Sequence, residues 1–269
     1  SAGIAFKGVN INGLGFLMPP ETALEMIKAD PLNSQVLRPY CVGADINKGP
    51  TLAAPRWVVD FFPRSQSEAE RFALPYRWVS ERVPLNRRNL KNKPKLQKEW
   101  WRFEASAKGL REAIRELDEV LTIAVVSKTL MPRRAPAEVV FSQDVVVFAS
   151  DSFALQAVVS SSIHQIWVIT YGSGLRRDPR YTPSDVFETF PLPVASKALF
   201  ELGQELDTYR NEVMRREEIG LTTLYNLVNG VNGSLSTQVA VDKLRELHAK
   251  IDEATIDCYG WSDVSLNHA

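Results

Sequence analysis

The sequence predicts an α/β (α+β) fold with a mixed sheet, followed by a helical C-terminal segment. Short β-branched and aromatic runs alternate with amphipathic stretches through most of the chain. Pro191-Leu192-Pro193 then interrupts regular structure, and charged sequence of helical periodicity follows it. Of the 269 residues, 45 % are hydrophobic, which is enough for a substantial core. We therefore expect one α/β domain over residues 1–193 and a helical segment over residues 194–269.

Several short runs have the composition of strands. The clearest is residues 56–62, which are β-branched and aromatic. Residues 4–18 alternate apolar residues with Gly and Asn, which suggests a bent pair of strands with Gly8, Gly13 and Gly15 at turns or bulges. Three further runs are strand candidates: residues 121–127, 138–142 and 145–149.

Prolines and apolar spacing indicate the helices. Pro19-Pro20 suits a first helical turn, and the helix that it begins is expected to end at Asp30-Pro31. Pro75 is expected to kink or divide a helix over residues 67–83. Apolar residues also recur at helical spacing in four longer stretches: residues 104–120, 152–170, 196–216 and 242–259.

The formal net charge of zero hides an uneven distribution of charge. The middle of the chain is basic, whereas acidic residues become frequent beyond Phe200. A local basic patch can bind phosphate whatever the charge of the whole chain, although such runs are often only solvated surface. The basic residues for which we predict contact with DNA phosphates are Arg87, Arg88, Lys91, Lys93 and Lys95.

A second basic group lies between two strand candidates. Lys128, Arg133 and Arg134 are expected on a turn there, where loop arginines on a rigid scaffold could read bases. An ordinary solvent loop is the equally weighted alternative. Trp100-Trp101, close to the first basic group, could stack on bases but is better explained as a core anchor.

No catalytic motif is found in the sequence. An adenine-type amino-methyltransferase needs Asn/Asp/Ser-Pro-Pro-aromatic, and the only Pro-Pro here has Met18 before it and Glu21 after it. Ile11-Asn12-Gly13-Leu14-Gly15 only approximates a Phe-x-Gly-x-Gly cofactor loop. A common metal-dependent nuclease needs Asp/Glu/Gln-x-Lys, and no lysine of this chain has that spacing.

Other candidates for chemistry are isolated. Asp45 and Asp60 could form a carboxylate pair but are better explained as residues that close turns or strand ends. The three histidines have no second ligand at metal spacing, and His164 is expected in the core. Cys41 and Cys258 are expected to be reduced thiols of a cytoplasmic protein. No apolar run approaches the roughly 20 residues that span a bilayer.

Several motifs, in order, resemble one family. The resemblance extends from about Phe6 to Val264, and none of its motifs is catalytic. It is carried by Pro39-Tyr40-Cys41-Val42-Gly43-Ala44-Asp45-Ile46-Asn47, Trp57-Val58-Val59-Asp60-Phe61, Arg180-Tyr181-Thr182-Pro183-Ser184-Asp185-Val186-Phe187-Glu188-Thr189-Phe190-Pro191-Leu192-Pro193, Gly220-Leu221-Thr222-Thr223-Leu224-Tyr225-Asn226 and Tyr259-Gly260-Trp261-Ser262-Asp263. These runs are similar to the target-recognition region and C-terminal helices of type IIG and type IIL fused restriction–modification DNA adenine methyltransferases.

The resemblance implies a module that reads double-stranded DNA and is itself inactive. It implies that the methyltransferase and nuclease domains lie N-terminal to this segment. S-adenosylmethionine, and Mg²⁺ where a nuclease is retained, would bind to that parent enzyme and not to this chain. Two alternatives stay open from the residues alone: a protein-interaction module with a helical docking tail, and a small hydrolase that uses Asp45 or Asp60.

Overall fold

Two four-stranded sheets, a two-stranded hairpin and the helices packed against them organise the protein. The computed structural model describes residues 3–52, 54–87, 92–175, 178–230, 235–261 and 263–264. Short 3₁₀ turns at Leu14–Phe16 and Pro31–Gln35 and a π-helical turn at Pro183–Phe187 connect the longer elements. The strands are β1 (Ala5–Lys7), β2 (Leu17–Met18), β3 (Leu37–Cys41), β4 (Arg56–Val59), β5 (Glu119–Ala124), β6 (Arg133–Pro136), β7 (Val140–Phe141), β8 (Val145–Phe148), β9 (Ser173–Leu175) and β10 (Asp178–Arg180). The helices are α1 (Pro20–Ala29), α2 (Gly43–Lys48), α3 (Gln66–Glu70), α4 (Ala73–Arg87), α5 (Pro94–Lys98), α6 (Lys108–Ala113), α7 (Phe153–Ser160), α8 (Ser162–Tyr171), α9 (Lys197–Arg216), α10 (Leu221–Val228) and α11 (Leu235–Tyr259).

The first sheet is antiparallel, in the order β1-β8-β5-β6. The second has the order β2-β4-β3-β7, with β3 antiparallel to β4 and parallel to β7. The predicted mixed α/β architecture is thereby confirmed. The predicted strand pair over residues 4–18 is wrong, because β1 and β2 join different sheets.

Two long helices of the prediction are shorter or broken. Residues 104–120 contain only the short α6, which follows Ala107 in the left-handed conformation and ends before Ile114, and the strand β5, which pairs with β6 and β8, begins at Glu119. Residues 152–170 form α7 and α8, which meet at a bend of 60°. At that bend the Ser161 hydroxyl accepts a hydrogen bond from the His164 N–H and so begins a new helix.

Other helix boundaries follow local chemistry, as predicted. Pro20 starts α1, whose C-cap is Asp30, and the Ser196 hydroxyl caps α9. Between residues 66 and 87 there are two helices, and Pro75 occupies the first turn of the second, where its missing N–H breaks no helical hydrogen bond.

The helical segment shares a hydrophobic core with the α/β region. In this core Ala157 and Val158 of α7 pack with Leu206 of α9 and Leu244 of α11. Among the described residues beyond 193, helices α9, α10 and α11 make up the regular structure. The segment is therefore helical, as predicted, while a domain boundary at residue 193 stays a prediction.

The run of residues 180–193 at the end of the α/β region anchors that region through its apolar side chains. Val186 and Phe187 are fully buried, and the Phe187 ring meets the Phe148 ring edge to face at 5.0 Å. Phe190 packs in the same manner on His164, with ring centroids 4.6 Å apart. The apolar residues of this run thus fasten the last turn of the α/β region to its first sheet and to α8.

Within the described residues no single helix is long and apolar enough to cross a bilayer; α7 and α8 reach that length and composition only as a bent pair.

Candidate nucleic-acid interface

Arg87, the first predicted phosphate contact, is an internal residue. Its side chain is 1 % exposed at the end of α4. The guanidinium donates to the carbonyl oxygens of Arg102 at 2.7 Å, Ile11 at 2.9 Å and Trp100 at 3.0 Å. Burial lowers the pKa of Arg87 to about 10, so it remains charged at neutral pH. The expectation of a surface cation is corrected, since Arg87 ties three chain segments together.

The remaining residues of the first basic group have different surroundings. Lys93 is about half exposed and forms an ion pair with Glu104, which also accepts a hydrogen bond from Asn12. Lys95 is exposed on α5. Arg88 and Lys91 lie outside the described residues. Among the described residues of this group, Lys95 is the exposed cation best placed to contact a phosphate.

Trp100 and Trp101 are part of the core, as the sequence favoured. Trp101 is 8 % exposed, and the two rings meet edge to face with centroids 6.2 Å apart. Trp100 also packs against Tyr76 of α4. Trp101 is thus too buried to stack on a base, and Trp100 is partly buried and packed against the same core.

The loop between β5 and β6 is held in place by its neighbours. The Ser127 hydroxyl accepts hydrogen bonds from the Thr129 N–H and from the Asn47 side chain, both at 3.1 Å. The Tyr181 N–H donates to the Val125 carbonyl at 2.7 Å. Lys128 projects from this fixed loop with an exposed side chain. This is the geometry expected of a contact residue on a rigid scaffold.

Arg133 and Arg134 lie on a strand and not on the predicted turn. Arg133 is 3 % exposed and donates to the carbonyl oxygens of Ile46, Gly49 and Pro50 at 2.7–3.1 Å. Burial, followed by the charge of Arg210, lowers the pKa of Arg133 to about 10. The expectation that Arg133 faces solvent as a base reader is corrected.

Arg134 is also engaged within the protein. Its Nε and Nη2 donate to Glu119 at 3.0 and 2.9 Å, and its Nη1 donates to the Asp151 carbonyl. The guanidinium carbon lies 4.2 Å from the centre of the Phe153 ring. A group with these partners would have to leave them before it could bind a base edge.

The hairpin β9–β10 carries a cation that sequence reasoning missed. Arg180 is exposed and pairs with Val126 through an isolated antiparallel bridge, which places the hairpin beside the Lys128 loop. Exposed Ile166, Ile169 and Tyr171 lie on the preceding helix. The signal in the sequence was the Gly- and Pro-rich run around Arg180, typical of a tight hairpin that projects from a sheet.

The candidate catalytic residues have structural partners. Asp45 accepts a hydrogen bond from the Val42 N–H and pairs with Arg56, both at 2.9 Å. Asp60 is buried, accepts from the Phe62 N–H and lies 2.7 Å from Arg111. These roles, a helix start and a strand end, are the ones that the sequence favoured.

The glycine pair and the histidines are likewise accounted for. Gly15 faces α4, where a Cβ would lie 2.9 Å from Arg82 and Val83 side-chain atoms, so close helix packing explains it. His164 is buried, and its Nε2 shares a hydrogen bond of 2.9 Å with the Tyr181 hydroxyl. Among the residues that the structure describes, no three His, Cys, Asp or Glu side chains could together hold a metal ion.

The described surface thus presents cations on loops and on a hairpin, carried by a rigid α/β scaffold. Such an arrangement is typical of domains that bind their ligands through loops on a rigid scaffold.

The chain belongs to the MmeI target recognition domain family, whose family model matches residues 6–194. It is also similar to a solved structure, that of the type IIL restriction–modification enzyme MmeI in complex with DNA, at a TM-score of 0.70 and 18 % sequence identity. That similarity covers 98 % of this chain and 33 % of the MmeI chain, so the present chain spans about a third of the MmeI length. No curated protein matches the sequence.

Proposed function

We propose that this chain is the DNA sequence-recognition region of a type II restriction–modification adenine-N6 methyltransferase. The match of the target recognition family to residues 6–194 is the observation that carries the proposal. The similarity to MmeI, which was solved with DNA, supports double-stranded DNA as the ligand. In this proposal the chain works in the cytoplasm and docks on a methyltransferase domain of the same polypeptide.

The proposal divides the chemistry between this chain and the rest of the enzyme. The methyltransferase domain binds S-adenosylmethionine and transfers the methyl group to a flipped adenine. A retained nuclease domain would bind Mg²⁺. This chain would supply the contacts that recognise the DNA sequence. Its two runs that approximate methyltransferase motifs have structural roles: the Pro-Pro pair begins α1, and the glycine pair packs on α4.

The positions of the exposed cations support DNA binding. Lys128 and Arg180 lie on adjoining elements, because Val126 of the Lys128 loop bridges to the hairpin. A two-stranded ribbon fits the major groove, and an exposed arginine on it can donate to guanine. Lys95 is the candidate for a phosphate contact on the other basic group, with Lys93 second because Glu104 already neutralises it.

A binding titration tests the proposal. We expect the chain to bind a fluorescent duplex weakly at low salt, with log affinity falling linearly with log salt, because bound phosphates release counterions. An anisotropy titration over a series of salt concentrations measures both quantities. Absence of duplex binding at low salt would contradict the proposal.

Calorimetry tests the division of chemistry. Titration of S-adenosylmethionine into the chain should give no saturable heat, and methyl transfer to DNA by the chain alone should be absent. Stoichiometric cofactor binding would place the methyltransferase chemistry here and overturn this part of the proposal.

The exposed apolar residues of α8 favour a second candidate, a protein-interaction module. Ile166 is 58 % and Ile169 is 67 % exposed, and neighbouring apolar side chains at a surface are typical of contact sites. This candidate predicts no affinity for duplex DNA, so the same titration separates the two.

A further inference from the structure

A cavity of about 570 Å³ lies between the α/β region and the helical segment. Lys128, Ser162 and Gln165 line it from the α/β region, and Asn229, Arg245 and His248 line it from the helical segment. We propose that this cavity binds a phosphate of the DNA backbone, so that the helical segment is part of the DNA interface. This inference rests on the proposed function.

The lining of the cavity favours an anion. Two of its side chains, Lys128 and Arg245, are cationic, and the lining holds no carboxylate among the described residues. Hydroxyl and amide groups supply further donors. A phosphodiester offers only acceptor oxygens, which such a set of donors satisfies.

Arg245, the cation that the helical segment contributes to the cavity, is held in a fixed position. The Arg245 Nε donates to the Val228 carbonyl at 2.9 Å, and Nη2 donates to the Leu227 carbonyl at 3.4 Å. Its Nη1 pairs with Asp242 at 3.2 Å. These contacts use three of the five N–H groups of the guanidinium, so two remain for a ligand.

Hydrogen bonds also hold the wall that the α/β region contributes to the cavity. Lys128 extends from the loop that Ser127 fixes, and no ion pair with Lys128 is formed by the described residues. Behind Ser162 lies the buried Asp252 carboxylate, which accepts hydrogen bonds from the Ser162 N–H and hydroxyl. The Asp252 carboxylate is therefore partnered by Ser162 within this wall.

A nucleobase fits this cavity less well than a phosphate. Its aromatic side chains are Tyr225 and His248, which hydrogen-bond to each other at 2.7 Å with their rings nearly perpendicular. Tyr225 is 3 % exposed, so its ring is not available for stacking on a base. The proximity of Lys128 to the hairpin that carries Arg180 places the cavity beside the proposed base-contacting surface.

The test compares the salt dependence of duplex binding for matched variants of the whole chain. Lys128→Ala should reduce the slope of log affinity against log salt by about 0.9, the value for one lost phosphate contact, and should weaken all sequences alike. Lys197→Ala also removes an exposed lysine charge, at the start of α9, and should leave the slope unchanged.

A second pair of variants tests the helical wall. Asn229→Asp places a carboxylate in the cavity and should weaken duplex binding, whereas Gln204→Glu makes the same charge change on the exposed surface of α9 and should not. Circular dichroism of each variant checks that the fold is retained.

Three outcomes would overturn the inference. If wild type binds duplex DNA but Lys128→Ala keeps its slope, the cavity is not a phosphate site while the proposed function stands. If inorganic phosphate raises the melting temperature in a Lys128-dependent manner and the DNA slope is unchanged, the cavity takes a free anion. If wild type binds no duplex at all, the proposed function fails together with the inference.

Discussion

Replacement of Arg87 by alanine should lower the free energy of unfolding. It should leave the affinity of the folded protein for DNA unchanged. The side chain makes three short hydrogen bonds, at 2.7, 2.9 and 3.0 Å, to carbonyl oxygens of three separate residues. Hydrogen bonds from a charged donor contribute about 1.5–3 kcal/mol each, and buried acceptors left without a donor add to the cost. Three bonds at the lower end of that range give about 4–5 kcal/mol of lost stability.

The loss is large on the scale of an ordinary domain, whose total stability is about 5–15 kcal/mol. Urea denaturation followed by tryptophan fluorescence measures it. With a denaturant slope of about 3 kcal/mol/M, the midpoint of Arg87→Ala should fall by about 1.5 M. Arg87→Lys should be intermediate, because an ammonium keeps the charge but lacks the planar fork that reaches several carbonyls.

Lys95→Ala is the matched control, since Lys95 is an exposed cation of the same basic group. Its free energy of unfolding should be within about 0.5 kcal/mol of the wild-type value, as for most surface substitutions. If Arg87→Ala keeps the wild-type midpoint and instead flattens the salt slope of DNA binding, Arg87 contacts phosphate and the reasoning from burial is wrong.

Three further substitutions test other parts of the structure. Gly203→Ala should destabilise the protein by at least 1–3 kcal/mol, because the new Cβ would lie 2.0 Å from the Phe153 carbonyl oxygen. Gly174→Ala is the control, since a Cβ there meets nothing within 4 Å. Equal melting temperatures for the two variants would refute the packing of α7 on α9. Burial lowers the pKa of His164 to about 3, so between about pH 6.5 and pH 3 the unfolded chain binds a proton that the folded chain does not. The free energy of unfolding should therefore decline as the pH falls through this range, by up to about 1.4 kcal/mol per pH unit. An identical pH dependence in His164→Gln would contradict this. Arg134→Ala should lower the free energy of unfolding by about 1 kcal/mol and leave the DNA motif selected from a random library unchanged, because the guanidinium is ion-paired within the protein. If the variant instead tolerates any base at one position of the motif, Arg134 reads that base.

Local chemistry was sufficient to predict much of the fold. The cap of α9 at Ser196, the proline start of α1 and the apolar anchors Val186 and Phe187 each depend on a few neighbouring residues. The predicted helix over residues 104–120 failed for the opposite reason. The predicted helix extended to residue 120, but residues 119 and 120 belong to β5, whose pairing with β6 and β8 depends on residues that a local sequence pattern does not include.

The candidate site was less predictable than the fold, because the environment of an arginine depends on distant chain segments. Arg87 donates to Ile11, 76 residues away, and Arg133 donates to Ile46, 87 residues away. Nothing local separates these internal arginines from Arg180, which is exposed on a hairpin. Charge runs therefore indicated a basic region but not which cations face solvent.

The most direct test of the central claim is selection of duplexes by the chain from a random DNA library. After several rounds at low salt, the bound fraction should be enriched in one short motif, and a duplex with that motif should bind more tightly than its scrambled version. Each mismatched position in the motif should cost about 1–3 kcal/mol. Equal affinity for motif and scrambled duplexes, with no enrichment after repeated rounds, would contradict the assignment of this chain as a reader of DNA sequence.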